Sequence, residues 1–129
     1  MKYLLDTTWI IEYLRGNEGI VRRAQELQGE GLGVSIVSVA ELFEGVFRSA
    51  RPIENEQALR DFLSGVTVVP VSEEAARAYG EEKARLVKKG AIVGALDLLI
   101  AATALTANTT LLTLDGEFQR IEGLTILSS

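Results

Sequence analysis

Short β-prone runs alternate with helical stretches along almost the whole of this chain. Residues 66–71, rich in β-branched side chains, are typical of a buried strand, and further strands are predicted at 2–5, 34–37, 109–114 and 124–127. Helices at amphipathic spacing lie between them, for example over Glu18–Leu27. Strands that alternate with helices predict an α/β fold with a mostly parallel sheet covered on both faces.

Local signals set the expected limits of several elements. Ser38 is predicted to open the helix after the second strand, and the glycines at 29, 31 and 33 are predicted to form a loop. Ser72 is predicted to cap a later helix that stops at Gly90. With 129 residues and no linker or low-complexity segment, the chain is expected to be one domain, residues 1–129.

The composition excludes several kinds of chemistry. There is no Cys and no His, so disulfides, Cys/His zinc sites, imidazole bases and Ser-His-Asp triads are all absent. The formal net charge is −5, so nucleic acid binding would depend on bound cations or a local basic rim. No secretory signal or membrane-length apolar run is evident, and we expect a cytoplasmic protein without membrane contact.

Four acidic residues stand in apolar surroundings, where an ionised carboxylate is costly: Asp6, Glu41, Asp97 and Asp115. Asp6 and Asp115 each follow a predicted strand, so parallel strands would place both at the carboxyl edge of the sheet, where α/β proteins bind ligands. Glu41 and Asp97 lie near the starts of helices that could reach the same edge. Four such charges need counter-cations, and an all-oxygen set favours Mg²⁺ or Mn²⁺ over zinc.

Each acid also has an ordinary structural interpretation. Ser38 and Glu41 match a capping box, which taken alone is the better explanation of Glu41. Asp97 could simply favour a helix dipole, and Asp6 could cap the helix that begins at Thr7. Asp115, followed by glycine, could mark a turn. Four such coincidences at the boundaries of apolar elements are less probable than one shared site.

Other polar residues give weaker signals. Glu117 is the best candidate for a supporting acid because it follows Asp115 by two residues, and Glu12 and Glu44 are weaker ones. Thr7 and Thr113 could donate hydrogen bonds to metal-bound water or phosphate, although Thr is common in strands. A phosphate-binding rim could include Arg48, Arg51 and the basic residues at 83–89, although solvated helix faces explain the last group better.

These segments together resemble the PIN domain family, and within it the VapC-type toxin ribonucleases. The resemblance depends on Leu4-Leu5-Asp6-Thr7, on Ser38-Val39-Ala40-Glu41-Leu42 with Gly45, and on Gly90 followed by Asp97-Leu98-Leu99-Ile100-Ala101-Ala102. Its last part is Leu112-Thr113-Leu114-Asp115 with Phe118. The order and spacing of these parts, over nearly the whole chain, make the match strong. Family members often have Asn where this chain has Thr8, so Asp6 is expected to lack a hydrogen bond there.

The resemblance implies an α/β/α sandwich and an Mg²⁺- or Mn²⁺-dependent endoribonuclease that acts as a toxin. It implies catalysis by Asp6, Glu41, Asp97 and Asp115, a homodimer, and a small DNA-binding antitoxin that plugs the acidic site. On our hypothesis Asp6 and Asp97 hold the principal ion with Asp115 as a further ligand. Glu41 then binds a second ion or orients the attacking water, giving 5′-phosphate and 3′-hydroxyl products.

Two other classes of function are weighed against this one. The first is a non-catalytic PIN-like module that only binds a partner protein, which a complete set of acids argues against. The second is a phospho-acceptor signalling domain, which needs two adjacent acids after the first strand and a Lys after the last. Asp6 is followed by Thr7-Thr8, and no Lys follows Lys89, so this class is disfavoured.

Overall fold

Five short strands form one sheet at the centre of the computed structural model, which describes residues 1–128. In chain order they are β1 (Tyr3–Leu5), β2 (Leu32–Ser35), β3 (Thr67–Val69), β4 (Thr110–Thr113) and β5 (Ile126–Ser128). They lie in the order β3-β2-β1-β4-β5, and every neighbouring pair is parallel. The predicted α/β class with a parallel central sheet is confirmed.

α-Helices connect the first four strands in turn, and a 3₁₀ turn lies between β4 and β5. The α-helices are α1 (Thr7–Leu14), α2 (Glu18–Leu27), α3 (Ile36–Arg48), α4 (Pro52–Leu63), α5 (Glu73–Lys88) and α6 (Ala95–Thr106), with 3₁₀ turns at Gln28–Glu30 and Gly116–Arg120. Ser72 caps α5 as predicted, since its hydroxyl accepts a hydrogen bond from the Ala75 N–H at 3.0 Å. Within residues 1–128, no helix combines the length and apolar character needed to cross a membrane.

The two faces of the sheet are covered by separate hydrophobic cores. Side chains alternate across a strand, so Leu5 and Leu112 pack with residues of α1 to α4, while Leu4 and Leu111 pack with residues of α5 and α6. All four of these leucines are fully buried. Two cores on opposite faces of one sheet give the three-layer α/β/α sandwich.

The start of α3 differs from the sequence prediction. The strand expected at 34–37 is β2 at Leu32–Ser35, and the helix begins at Ile36 rather than at Ser38. The Ser35 hydroxyl accepts from the Val37 N–H at 3.1 Å, so Ser35 is the capping residue. Gly33 lies in β2 opposite Leu4 and not in a loop, and a Cβ at this position would overlap the side chain of Met1.

The strand predicted to be buried, at 66–71, lies at an edge of the sheet. Instead of a buried strand over 66–71, β3 has only three residues, and Val68 remains 40% exposed. It pairs with β2 on one side, and Pro70 follows its last residue. β-branched composition favours a strand in either place and therefore did not distinguish an edge strand from a central one.

The attachment of α4 provides a test of the packing. Leu59 is the buried residue of this helix, fully enclosed in the core shared with α1 to α3, whereas Ile53 on the same helix is 86% exposed. Leu59→Ala should lower the free energy of unfolding by about 2–5 kcal/mol, because it leaves a cavity. Ile53→Ala should change it by less than about 0.5 kcal/mol. Urea unfolding followed by circular dichroism measures both, and equal losses would contradict this packing.

Candidate active site

The carboxyl ends of β1 and β4 lie side by side and begin the site. The two strands pair with Leu5 opposite Leu112, and the Asp6 N–H extends this ladder by donating to the Leu112 carbonyl at 2.9 Å. Asp6 therefore follows β1 at the same edge at which Asp115 follows β4. The placement of these two acids at the carboxyl edge agrees with the sequence prediction.

Asp6 is 2% exposed, and three donors hold its carboxylate. Its Oδ1 accepts from the Thr7 N–H at 2.8 Å, and its Oδ2 accepts from the hydroxyls of Thr8 at 3.0 Å and Thr113 at 2.8 Å. The expectation that Thr8 leaves Asp6 short of a hydrogen bond is wrong, because the Thr8 hydroxyl supplies one. Burial raises the pKa of Asp6, and these hydrogen bonds oppose that effect.

Glu41 is oriented by Thr7 across the gap between α1 and α3. The Thr7 hydroxyl donates to Glu41 Oε1 at 2.7 Å and lies 2.8 Å from the Ser38 hydroxyl oxygen. The capping-box interpretation of Ser38 and Glu41 is wrong, because α3 starts at Ile36 and Ser38 is inside the helix. With the helix start two residues earlier, both side chains lie on the face of α3 that contacts α1.

Asp97 lies in the first turn of α6. This position suits both of its interpretations, as a residue that favours the helix dipole and as a metal ligand. What separates them is its surroundings. Burial, and then the negative charges of Asp6, Glu41, Asp115 and Glu117, raise the pKa of Asp97 to about 6. A residue that only favoured a helix dipole would not lie among four other carboxylates, so Asp97 belongs to a cluster.

Asp115 and Glu117 complete the cluster. Asp115 caps the second 3₁₀ turn by accepting from the Glu117 N–H at 2.9 Å, and its own N–H donates to the Thr113 hydroxyl at 3.0 Å. Its interpretation as a turn residue is therefore also correct. Asp97, Asp115 and Glu117 each offer a carboxylate oxygen within 4.8 Å of the other two. Glu117 thus joins a group that could hold one ion, while the triple Asp6, Asp97 and Asp115 stays a prediction.

A cleft of about 380 Å³ opens over Asp6, Glu41, Asp97 and Asp115, whereas Glu117 does not line it. Its lining includes these four acids, which come from four separate segments, and a fifth acid, Glu44, together with Thr7, Thr8 and Arg48. Arg48 pairs with Glu44 at 3.4 Å on an exposed face of α3 and lies at the cleft, as the predicted basic rim requires. Arg51 instead pairs with Glu54 on α4, and Arg85 pairs with Glu82 away from the cleft.

The donor set fits a hard divalent cation. Each candidate ligand is a carboxylate oxygen, the kind that Mg²⁺ and Mn²⁺ prefer. Burial and then like charges raise the pKa of Asp97, and a bound cation would neutralise those charges. Sequence patterns pointed to these acids but gave no sign that Thr113 would orient Asp6 or that Thr7 would orient Glu41, since hydroxyl contacts between distant segments leave no local pattern.

Comparison with known proteins decides the family. The model of the PIN domain matches residues 3–124. The chain is a PIN domain. Ribonuclease VapC2 of Rickettsia felis is 34% identical to it over 127 residues, with 96% of this chain and 95% of the relative aligned. Ribonuclease VapC2 of Haemophilus influenzae is 33% identical over 126 residues, with the same shares covered.

Solved structures agree with this assignment. The crystal structure of VapBC2 from Rickettsia felis bound to a promoter DNA fragment superposes on this PIN domain with a TM-score of 0.95 at 31% identity, covering 100% of this chain and 99% of that chain. VapBC-1 from nontypeable Haemophilus influenzae gives 0.90 at 33% identity, covering 99% and 98%. The resemblance to the PIN family and its VapC ribonucleases is confirmed.

Burial of Asp97, together with the neighbouring negative charges, predicts that this residue destabilises the metal-free PIN domain. Its pKa is about 6 in the folded protein and near 3.8 when unfolded, so the folded state binds more protons between these values. Stability therefore falls as pH rises through this window, and the loss is complete above pH 6. With EDTA, Asp97→Asn should melt a few degrees higher than wild type at pH 7.5 and no higher near pH 3.5.

Added Mg²⁺ or Mn²⁺ should reverse that order. Binding to the folded state alone raises the unfolding midpoint of the wild type, and the variant has lost a ligand, so its midpoint should change less. Differential scanning fluorimetry with EDTA or with metal measures both effects. A variant that is less stable than wild type in EDTA at pH 7.5 would show that Asp97 makes favourable contacts instead of repulsive ones.

Proposed function

We propose that this chain is an Mg²⁺- or Mn²⁺-dependent endoribonuclease that acts in the cytoplasm as the toxin of a type II toxin–antitoxin system. The observation that carries the proposal is the convergence of carboxylates from four segments, Asp6, Glu41, Asp97 and Asp115, on one cleft. Family membership supports it, since relatives over nearly the whole chain are named ribonucleases. One, from Salmonella typhimurium and 29% identical, is named a tRNA(fMet)-specific endonuclease.

The proposed reaction is hydrolysis of an RNA phosphodiester bond. Asp97, Asp115 and Glu117 would hold the ion together with Asp6, and the ion would supply an acidified water and neutralise charge that develops on the phosphate. The hydroxyls of Thr8 and Thr113 fix the carboxylate of Asp6, so it meets the ion with little loss of conformational freedom. The expected products carry a 5′-phosphate and a 3′-hydroxyl.

Two further residues have proposed roles beside the ion. Glu41 has one carboxylate oxygen bound by Thr7, and we assign it to a second ion or to the orientation of the attacking water. Arg48 lies at the cleft on an exposed turn of α3 and would bind an RNA phosphate. A bound metal ion together with the positive charge of Arg48 would let a chain of net charge −5 bind a polyanion such as RNA.

The proposed protein partner is a small antitoxin. Structural neighbours such as VapBC from Salmonella typhimurium, with a TM-score of 0.93, are toxin–antitoxin complexes bound to DNA. In this chain a second groove of about 320 Å³ runs between α1, α3 and α4 and shares Ile11, Glu41 and Gly45 with the acidic cleft. A peptide lying in this groove would reach the catalytic acids and block them. The homodimer that the family implies stays a prediction.

Asp97→Asn tests the catalytic proposal with a matched control in the same chain. It should lower the rate of RNA cleavage in Mg²⁺ on the order of 100-fold or more, because it removes a charge that acts on the reacting centre. Asp61→Asn makes the same chemical change on an exposed turn of α4 and should leave the rate unchanged. EDTA should abolish cleavage by the wild type. Gel analysis of labelled RNA, with the product ends identified, measures each rate.

Two outcomes would count against this function. If folded Asp97→Asn cleaves RNA as fast as wild type, the proposed mechanism is wrong. If the wild type cleaves no RNA in Mg²⁺ or Mn²⁺ across diverse structured RNAs, the chain is better described as a non-catalytic PIN-like module that binds a protein partner.

A further inference from the structure

Glu82 is a buried carboxylate that the catalytic proposal does not use. It lies on α5 with 9% of its surface exposed and forms a bidentate pair with Arg85, at 2.6 Å and 2.7 Å. The Arg85 guanidinium is the main reason that the pKa of Glu82 lies below its usual range. Burying such a pair costs desolvation energy, which is offset only where further hydrogen bonds are made.

Those further hydrogen bonds hold the backbone just beyond the second 3₁₀ turn. The Glu122 N–H donates to Glu82 Oε2 at 2.9 Å, and Arg85 Nη2 donates to the Arg120 carbonyl at 2.9 Å. Phe118 and Ile121 anchor the same segment in the hydrophobic core. The pair on α5 therefore fixes the far end of the segment that carries Asp115 and Glu117.

Arg120 extends this attachment to the other side of the acidic cluster. Its Nη1 donates to the carbonyl of Ile92 at 2.9 Å. Ile92 lies in the connection between α5 and α6, two residues before Gly94, the N-cap of α6, and the first turn of α6 contains Asp97. Arg120 thus ties the segment of Asp115 and Glu117 to the segment that leads into Asp97.

We propose that Glu82, Arg85 and Arg120 are positioning residues that set the spacing between Asp97 and the pair Asp115 and Glu117, and so tune the affinity for a divalent cation. We call these three residues the α5 clamp. The inference deepens the proposed function and rests on it. Mg²⁺ requires ligands in near-ideal octahedral geometry, so a small change of spacing weakens binding. The clamp holds together two acidic segments whose like charges repel each other.

Two other roles for Arg120 predict different results. If Arg120 acted only through its charge, its removal would make the site more negative and strengthen metal binding. If it only contacted RNA phosphate, its removal would raise KM for RNA and leave metal affinity unchanged. Of these three roles, only a positioning role predicts that metal binding weakens when the positive charge of Arg120 is removed.

The experiment measures Mn²⁺ binding to the full chain by electron paramagnetic resonance, without RNA. Arg120→Ala should bind Mn²⁺ on the order of 10-fold more weakly than wild type, in the range found for residues that orient metal ligands. Arg77→Ala is the matched control, because it removes the same charge from an exposed pair with Glu81 on α5. It should bind as wild type does. Arg120→Lys, which keeps a charge and a donor, should restore part of the affinity.

A kinetic readout separates positioning from general damage. For Arg120→Ala the Mg²⁺ concentration at half-maximal cleavage should rise, while kcat at saturating Mg²⁺ and KM for RNA stay near wild type. If Arg120→Ala does not fold, Arg85→Lys replaces it, since it keeps the charge but loses the bidentate geometry. Thermal unfolding in EDTA establishes folding for each variant.

The results distinguish failure of the α5 clamp from failure of the proposed nuclease function. Mn²⁺ binding by folded Arg120→Ala that equals or exceeds that of the wild type overturns the clamp and leaves the nuclease proposal intact. Failure of the wild type itself to bind Mn²⁺ overturns both. Weaker Mn²⁺ binding in Arg120→Ala together with normal binding in Arg77→Ala supports the clamp.

Discussion

The mutual repulsion of carboxylates at one edge of a parallel sheet is the constraint on which this structure depends. Asp6 follows β1 and Asp115 follows β4. Because these two strands are hydrogen-bonded neighbours, the two acids lie close together. α6 brings Asp97 to the same place, where burial and the neighbouring charges raise the pKa of this acid to about 6. A fold that gathers these charges must offset their repulsion with packing elsewhere and with donors at the site.

The hydroxyl groups around the acids are part of that compensation. Thr8 and Thr113 donate to Asp6, and Thr7 donates to Glu41, so the carboxylates are oriented before any cation binds. The two buried cores on opposite faces of the sheet hold the strands that carry these residues. The acids lower the stability of the metal-free fold. The stability of the sandwich and the orientation of the carboxylates for metal binding are therefore linked in this chain.

The sequence predicted the parts of the site that follow from local rules. An acid after an apolar strand falls at the carboxyl edge of a parallel sheet, so Asp6 and Asp115 could be placed without coordinates. The predicted cap of α3 is wrong because Ser35 and Ser38 both precede a helical pattern, and only the end of β2 decides between them. The edge position of β3 depends on the order of the strands, which composition does not encode. The contacts of Arg85 and Arg120 with backbone carbonyls of distant segments leave no trace in residue spacing.

The central claim is that these acids bind a hard divalent ion together, and anomalous scattering from a crystal soaked in Mn²⁺ tests it most directly. A manganese peak is expected inside the acidic cleft, within coordination distance of oxygens of Asp97 and of Asp115 or Glu117. A soaked crystal with manganese only at surface carboxylates outside the cleft, or with these oxygens directed away from one another, would contradict it.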